Sequence, residues 1–337
     1  MVKLSCCFKQ EAGGVLLNAG NLYHGGIMVN YRCSAACRHC LYACSPTRRE
    51  GYVDRETMRE ICRLLRKGGI GSVHIGGGEP FLDFRGLVMA VEELRNAGIA
   101  LDYIETNAFW AGDAEGSAKL KQLKSLHVEA LCISVDPFHA EYIPYALPLR
   151  LAALCDKNGM GYFLWKQQFL PALSRLDAAK THSRPEMETL LGDAYISNTA
   201  RLYGLRMGGR AVNIEEEYAG TGGLADFTGS KPCEDLLSTG HFHVDADCRF
   251  IPPGCTGIRI PLAEAVAGIP EGKYPVFEAL YYGGTGALLE FARGQGFAPE
   301  KNYPSRCGFC FRIRAFLAGG GFAELDADHY EESLKYY

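Results

Sequence analysis

Apolar positions in the first two thirds of the chain come in short runs that alternate with patterns of helical spacing. GIMVNY, beginning at Gly26, runs directly into a cysteine-rich loop and reads as a buried strand delivering its C-terminal end to a site. Asp54 follows as an N-cap, then Met58, Ile61, Leu64 and Leu65 share one helix face, and Gly68 and Gly69 stop the helix. The unit recurs. SVHI (72–75) leads through GGGEP to Leu87, Val88, Val91 and Leu94, stopped by Gly98. ALDYIET (100–106) leads to a helix near 118–126, and VEALCISVD (128–136) leads past Pro137 to Leu147, Leu151 and Leu154, ending at Gly159. GYFLW (161–165) and ARLYGLRM (200–207) are the fifth and sixth candidate strands.

Strands and helices alternating at these lengths predict an α/β fold with a parallel sheet and right-handed crossovers. Six such units suit a partial (β/α)6 TIM-like barrel with its functional residues on the loops after the strand C-terminal ends; the pattern also permits an eight-stranded barrel or a doubly wound sheet. Residues 1–25 form an irregular lead-in, the barrel spans 26–215, and the glycine-rich, polar stretch 216–232 is a linker. Residues 233–337 form a small α+β domain. Within it HFHVDADCRFIPPGC reads as strand, turn and strand, and a helix near 279–293 precedes CGFC.

Composition adds exclusions. With 337 residues, 47% of them hydrophobic and 22% charged, the chain can bury one large core and a smaller one. A formal charge of -4 leaves no basic footprint for nucleic acid. Neither an export signal nor a run of eighteen apolar residues is found, so a cytoplasmic protein without a membrane partner is expected. Fourteen cysteines in such a chain point to metal or redox chemistry rather than disulfides.

Three of those cysteines, Cys33, Cys37 and Cys40, stand in YRCSAACRHCLY with the spacing C-x3-C-x2-C. Three thiolates can hold an iron-sulfur cube and leave one iron open to a second molecule. With His39, where an aromatic residue is usual, the loop resembles the cluster loop of radical S-adenosylmethionine (radical SAM) enzymes. That resemblance implies a partial (β/α)6 barrel, a 4Fe-4S cluster on the three cysteines, and S-adenosylmethionine on the open iron, cleaved reductively to a 5′-deoxyadenosyl radical. It also implies that Gly76, Gly77, Gly78, Glu79 and Pro80 are the turn whose backbone holds the cofactor's amino group, and that the imidazole of His39 packs on its adenine. Thr106 and Asn107 end the third strand, Ser134 and Asp136 the fourth, and all four resemble the polar ends that family members use for the cofactor. Read without the family, the loop could be a Cys3His zinc knuckle and GGGEP a tight turn. His139 and Glu141 read as a solvated helix face, while Lys166 and Arg206 could meet an acidic group of substrate or cofactor.

A second group follows in the last third. Cys233, Cys255, Cys307 and Cys310 are the most economical set for a closed cluster, and the region resembles the SPASM or Twitch extension of peptide-modifying radical SAM enzymes, which implies an auxiliary 4Fe-4S cluster. No cysteine follows Cys310, so one such cluster fits better than two. The same four residues could hold structural zinc, and CGFC alone could be a dithiol pair. Cys248 stands where that hairpin usually has glycine; it could be a ligand in place of Cys233, a plain hydrophobe, or a hydrogen-atom donor. Cys44, Cys62, Cys132 and Cys155 read as filler, and Cys6 and Cys7 as ordinary thiols.

The resemblance implies hydrogen abstraction from a peptide or protein side chain, with epimerisation or cross-linking as outcomes, and an electron donor such as flavodoxin or ferredoxin. A small metabolite or cofactor precursor is the alternative substrate; an iron-sulfur electron carrier or zinc-binding protein is the alternative of another class. Only about 25 residues precede the first strand, too few for a separate leader-binding domain, which usually needs at least about 50. A peptide would need another docking surface.

Overall fold

The computed structural model describes residues 22, 24–112, 114–217, 219–229, 231–237 and 240–335. Most of the lead-in, including Cys6 and Cys7, lies outside them. The expected strands form where the apolar runs are: β1 (Gly25–Met28), β2 (Ser72–Gly76), β3 (Ala100–Thr106), β4 (Ala130–Ser134) and β5 (Gly161–Trp165). Each pairs parallel with the next. The helices between them are α1 (Arg55–Lys67), α2 (Phe84–Asn96), α3 (Gly116–Ser125), the single turn α4 (Pro137–Ala140) and α5 (Ala146–Asn158). Asp54 caps α1, accepting from Thr57 N at 2.7 Å, an interaction typically worth about 1 kcal/mol. Gly159, with φ 62°, ends α5 in the left-handed conformation that glycine adopts without strain.

The sixth strand is not where the pattern placed it. Residues 200–207 do not form a strand: Tyr195–Tyr203 is a helix, α6, stopped by left-handed Gly204. Its buried positions, Tyr195, Ile196, Thr199 and Ala200, recur at helical spacing, whereas Leu202 is exposed. The sixth parallel strand comes instead from beyond the linker. Phe242–Val244 (β6) pairs parallel with β1 on the side away from β2, and β7 (Arg249–Ile251) and β8 (Ile260–Pro261) continue antiparallel. The sheet order is β5-β4-β3-β2-β1-β6-β7-β8, so β5 is an edge and the barrel is open.

Ile27, Val73, Ile75, Ile104, Leu131, Ile133, Phe242 and Val244 face the helices in one continuous apolar core. That core also takes in Phe277, Leu280 and Leu288 of α7 (Pro275–Gly294) and Phe309, Phe311 and Ile313 of α8 (Arg306–Ala318). The alternate strand positions face the concave side. A final helix, α9 (Ala327–Leu334), packs back toward the first cysteine loop, where Arg48 donates to the carbonyl of Asp328 at 2.8 Å. No described helix is long and apolar enough to cross a membrane.

Candidate functional site

The three-glycine turn after β2 packs against the segment that leads into the cysteine loop. Gly78 N donates to Asn30 O at 2.9 Å and Glu79 N to Arg32 O at 3.0 Å. A Cβ on Gly78 would lie 2.0 Å from Arg32 O, and one on Gly77, whose φ is 142°, would lie 2.8 Å from Asn30 O. Close approach of two backbones is therefore what these glycines permit. With those amides engaged, the turn's remaining polar offer to a ligand is carbonyl oxygen, which suits an amino group.

Glu79 is fully buried and acts inward. Its carboxylate accepts from Phe81 N at 3.1 Å, Thr106 Oγ1 at 3.0 Å and Asn107 N at 2.7 Å, tying the turn to the end of β3; burial pushes its pKa up to about 7. Asn107 in turn donates from Nδ2 to Ser34 Oγ at 3.0 Å, bracing the cysteine loop. Asp136 lies behind His139, accepting from its backbone N and, at 2.7 Å, pairing with its Nδ1. Burial alone would raise Asp136, but His139 and His39 hold it well below the usual range, and the carboxylate keeps His139 protonated against burial. His139 is thus no solvated surface group. Glu141 likewise turns inward, to Arg38 and Tyr195.

These strand ends enclose a cavity of about 130 Å³. Cys33, Cys37, His39 and Cys40 line it from the loop, Gly77, Gly78 and Pro80 from the turn, Thr106 and Asn107 from β3, and Ser134 from β4. Gly76, Glu79 and Asp136 stand behind that wall. His39 stacks on Phe138 with centroids 5.0 Å apart, and burial pushes its pKa down to about 4. A hydrogen bond from Cys44, helped by Arg210, pulls the Cys40 thiol down to about 5. Cys44 is a cavity residue rather than filler, while Cys62 and Cys155 belong to the apolar core.

Residues 27–152 match the model of the Radical SAM superfamily. This stretch is a radical SAM domain. Over 131 residues the chain is 31% identical to YydG of Bacillus subtilis (strain 168), a protein named for peptide biosynthesis; the match covers 36% of this chain and 39% of that one. Among solved structures, anSMEcpe with bound AdoMet is 15% identical with a TM-score of 0.42, covering 73% of this chain and 79% of that one. SuiB of Streptococcus suis bound to S-adenosylmethionine is 12% identical with a TM-score of 0.36, covering 72% and 63%. Superpositions this loose carry no statement about the site.

The groups that a radical SAM domain implies, a 4Fe-4S cluster and S-adenosylmethionine, fit the residues present. The three cavity cysteines are free thiols, and His39 Nδ1 is buried in the cavity wall with no hydrogen-bond partner among the described residues. The sequence pattern does not single out one arginine that lines this cavity. Arg210 is fully buried, donates from Nε to Cys37 O at 3.0 Å and from Nη2 to Cys44 O at 2.5 Å, and its own backbone N donates to Cys40 O. Gly209, φ 53°, lets it in: a Cβ there would lie 2.3 Å from Cys40 O. The doublet Gly208-Gly209 before an arginine is the one local signal. Lys166 and Arg206 are not among the lining residues; they bond to Tyr203 O and Asp235.

The second cysteine group is also drawn together. Cys307 and Cys310 stand about one turn apart at the start of α8, which Ser305 caps. Cys255 hydrogen-bonds Cys233 and pulls that thiol down to about 6. Buried Arg314 reaches Cys310, Thr256 O and the Tyr330 hydroxyl, and no carboxylate pairs with it among the described residues. A buried guanidinium without a carboxylate suits a thiolate-held, anionic group. Cys248 stands apart. It has φ 57° in the β6–β7 turn, and Glu60 and Arg63 of α1 and Asp245 of the same turn are the charged groups near its thiol.

Proposed function

We infer that this chain is a radical SAM enzyme that takes hydrogen from a peptide or protein side chain, in an epimerisation or cross-linking modification. The observation that carries the reading is the meeting of Cys33, Cys37 and Cys40 with the Gly77-Gly78 turn and the polar ends of β3 and β4 around one cavity. When bound, the cluster and S-adenosylmethionine supply a radical able to attack an unactivated carbon. The chain's part is to hold and shield. Cys33, Cys37 and Cys40 ligate, Gly77 and Gly78 offer carbonyls to the cofactor's amino group, His39 packs on its adenine, and Asn107 and Ser134 hydrogen-bond its polar groups. Glu79, Thr106 and Asp136 position these from behind. Arg210 offsets the negative charge of the thiolates, and the recessed cavity limits the water that reaches the reactive centre.

Residues 233–337, which share the barrel's sheet and core rather than forming the separate domain expected from the sequence, serve in this reading as the auxiliary region, with Cys233, Cys255, Cys307 and Cys310 holding a second 4Fe-4S cluster that accepts or relays the substrate electron. The peptide substrate is supported by the identity to YydG, named for peptide biosynthesis, and by the exposed edge strand β5 with its exposed Phe163 and Trp165, which suits an extended chain. A flavodoxin or ferredoxin would supply the electron.

The test is anaerobic reconstitution followed by iron, sulfide and zinc analysis and assay of 5′-deoxyadenosine with S-adenosylmethionine and a reductant. About eight irons and eight sulfides per chain, with 5′-deoxyadenosine lost in the Cys33→Ala/Cys37→Ala/Cys40→Ala variant, support it. Zinc without iron overturns it. Isotope exchange from solvent into a precursor peptide then separates epimerisation from cross-linking.

A further inference from the structure

On the concave face of the sheet, His74 of β2 and His243 of β6 stand in register with the same residue of β1, Gly26, one from each side. In-register residues of neighbouring parallel strands point to one face, and a glycine between them lets both imidazoles lean inward. A Cβ on Gly26 would lie 2.2 Å from His74 Nε2 and 2.8 Å from His243 Cδ2. The two Nε2 atoms are 3.2 Å apart. His241, two residues before His243 and so on the same face, brings a third imidazole, and one nitrogen of each lies within 4.8 Å of the other two. Glu105 of β3 reaches across Gly76, placing Oε1 3.7 Å from His74 Nε2; a Cβ on Gly76 would lie 2.6 Å from the other carboxylate oxygen.

We propose that His74, His241 and His243 form a binding site for a divalent transition-metal ion of the zinc type, with Glu105 as a further oxygen ligand. Three imidazoles and a carboxylate are a donor set such ions take. Two nitrogens on a tetrahedral zinc at about 2.05 Å stand about 3.3 Å apart, close to the His74–His243 separation. Entry is open, because His241 is exposed and the Glu105 side chain is 43% exposed. Glu105 also lines the cysteine cavity, so the ion would lie beside it on the same face. The site uses no cysteine and does not rest on the radical SAM chemistry proposed above.

The experiment is zinc loading of the full chain, desalting, zinc quantification and zinc-edge X-ray absorption, on the wild type, His241→Ala and His241→Ala/His243→Ala. His241 is exposed, so its single variant keeps the fold, checked by circular dichroism. The wild type is expected to retain about one more zinc per chain than the double variant, and the scattering shell lost between them is nitrogen or oxygen near 2.0 Å rather than sulfur near 2.3 Å. His241→Ala alone should weaken that zinc at least about tenfold. Equal zinc in wild type and His241→Ala at limiting metal, or a lost shell of sulfur, would mean that the three rings are only packed together, as the His74–His241 stack at 5.1 Å allows, and would overturn the site.

Discussion

Arg210 donates from Nε to the carbonyl oxygen of Cys37 across 3.0 Å, with its guanidinium fully buried behind the cysteine loop. A second bond runs to Cys44 O, so one planar fork fixes two points of the loop. Arg210→Met leaves both carbonyls unpaired and removes the charge that offsets the thiolates. The expected loss is about 3 kcal/mol in urea unfolding, with iron content after gel filtration falling by more than half. Arg210→Lys should rescue only part, because an ammonium lacks the fork.

The contact between the GGGEP turn and the cysteine loop predicts a sharp contrast between glycines. Gly78→Ala places a methyl 2.0 Å from Arg32 O, whereas at Gly71 nothing lies within 4 Å. Gly78→Ala should cost about 2–3 kcal/mol and the cluster, while Gly71→Ala should be near neutral in both. Thermal unfolding and iron content of the two purified variants decide it.

Glu79 predicts a pH dependence. Its pKa rises on folding from 4.5 to about 7, so the fold favours the proton. Its contribution is present in full below about pH 4.5 and is lost as pH rises through about 7, a span of about 3 kcal/mol as an upper figure. Glu105, on the cavity wall, shifts in the same direction, so the comparison must be with Glu79→Gln. Urea midpoints of the metal-free chain from pH 5 to 8 should fall less steeply in the variant; equal slopes would refute the assignment.

Cys248 and Cys255 should separate. Cys248 holds a left-handed conformation in its turn, and glycine there removes about 1 kcal/mol of strain. If the second cysteine group holds the cluster proposed above, Cys248→Gly is expected to raise the melting temperature and keep that metal, whereas Cys255→Ala should lose it. Metal analysis of the two variants reads the outcome directly.

The sequence made β1 to β5 legible because each is an apolar run closed by glycine or polar residues, and it made the cavity legible because Cys33, Gly78, Asn107 and Ser134 each follow such a run. It misread 200–207, where Tyr203, Leu205 and Met207 suggest alternation but Ile196, Thr199 and Ala200 set the helical phase. The true sixth parallel strand has three residues, too few for any period, and its partner β1 lies far away in the chain. Arg210 was invisible for the same reason: a lone cation after two glycines acquires meaning only when the loop it clamps is beside it. The inward turn of Glu79 was equally hidden, since sequence marks the turn but not which way its carboxylate faces.

Strand β1, which launches Cys33, has β6 for a neighbour, and Tyr31 bonds Asp245 across 214 residues of chain. During synthesis the cysteine loop therefore leaves the ribosome with one side of its wall still unmade. At ordinary elongation rates that interval is roughly 10–40 s. On the function proposed above, iron-sulfur delivery to the first loop would follow translation of the last third, and a stalled or truncated chain would present free thiols beside an open strand edge.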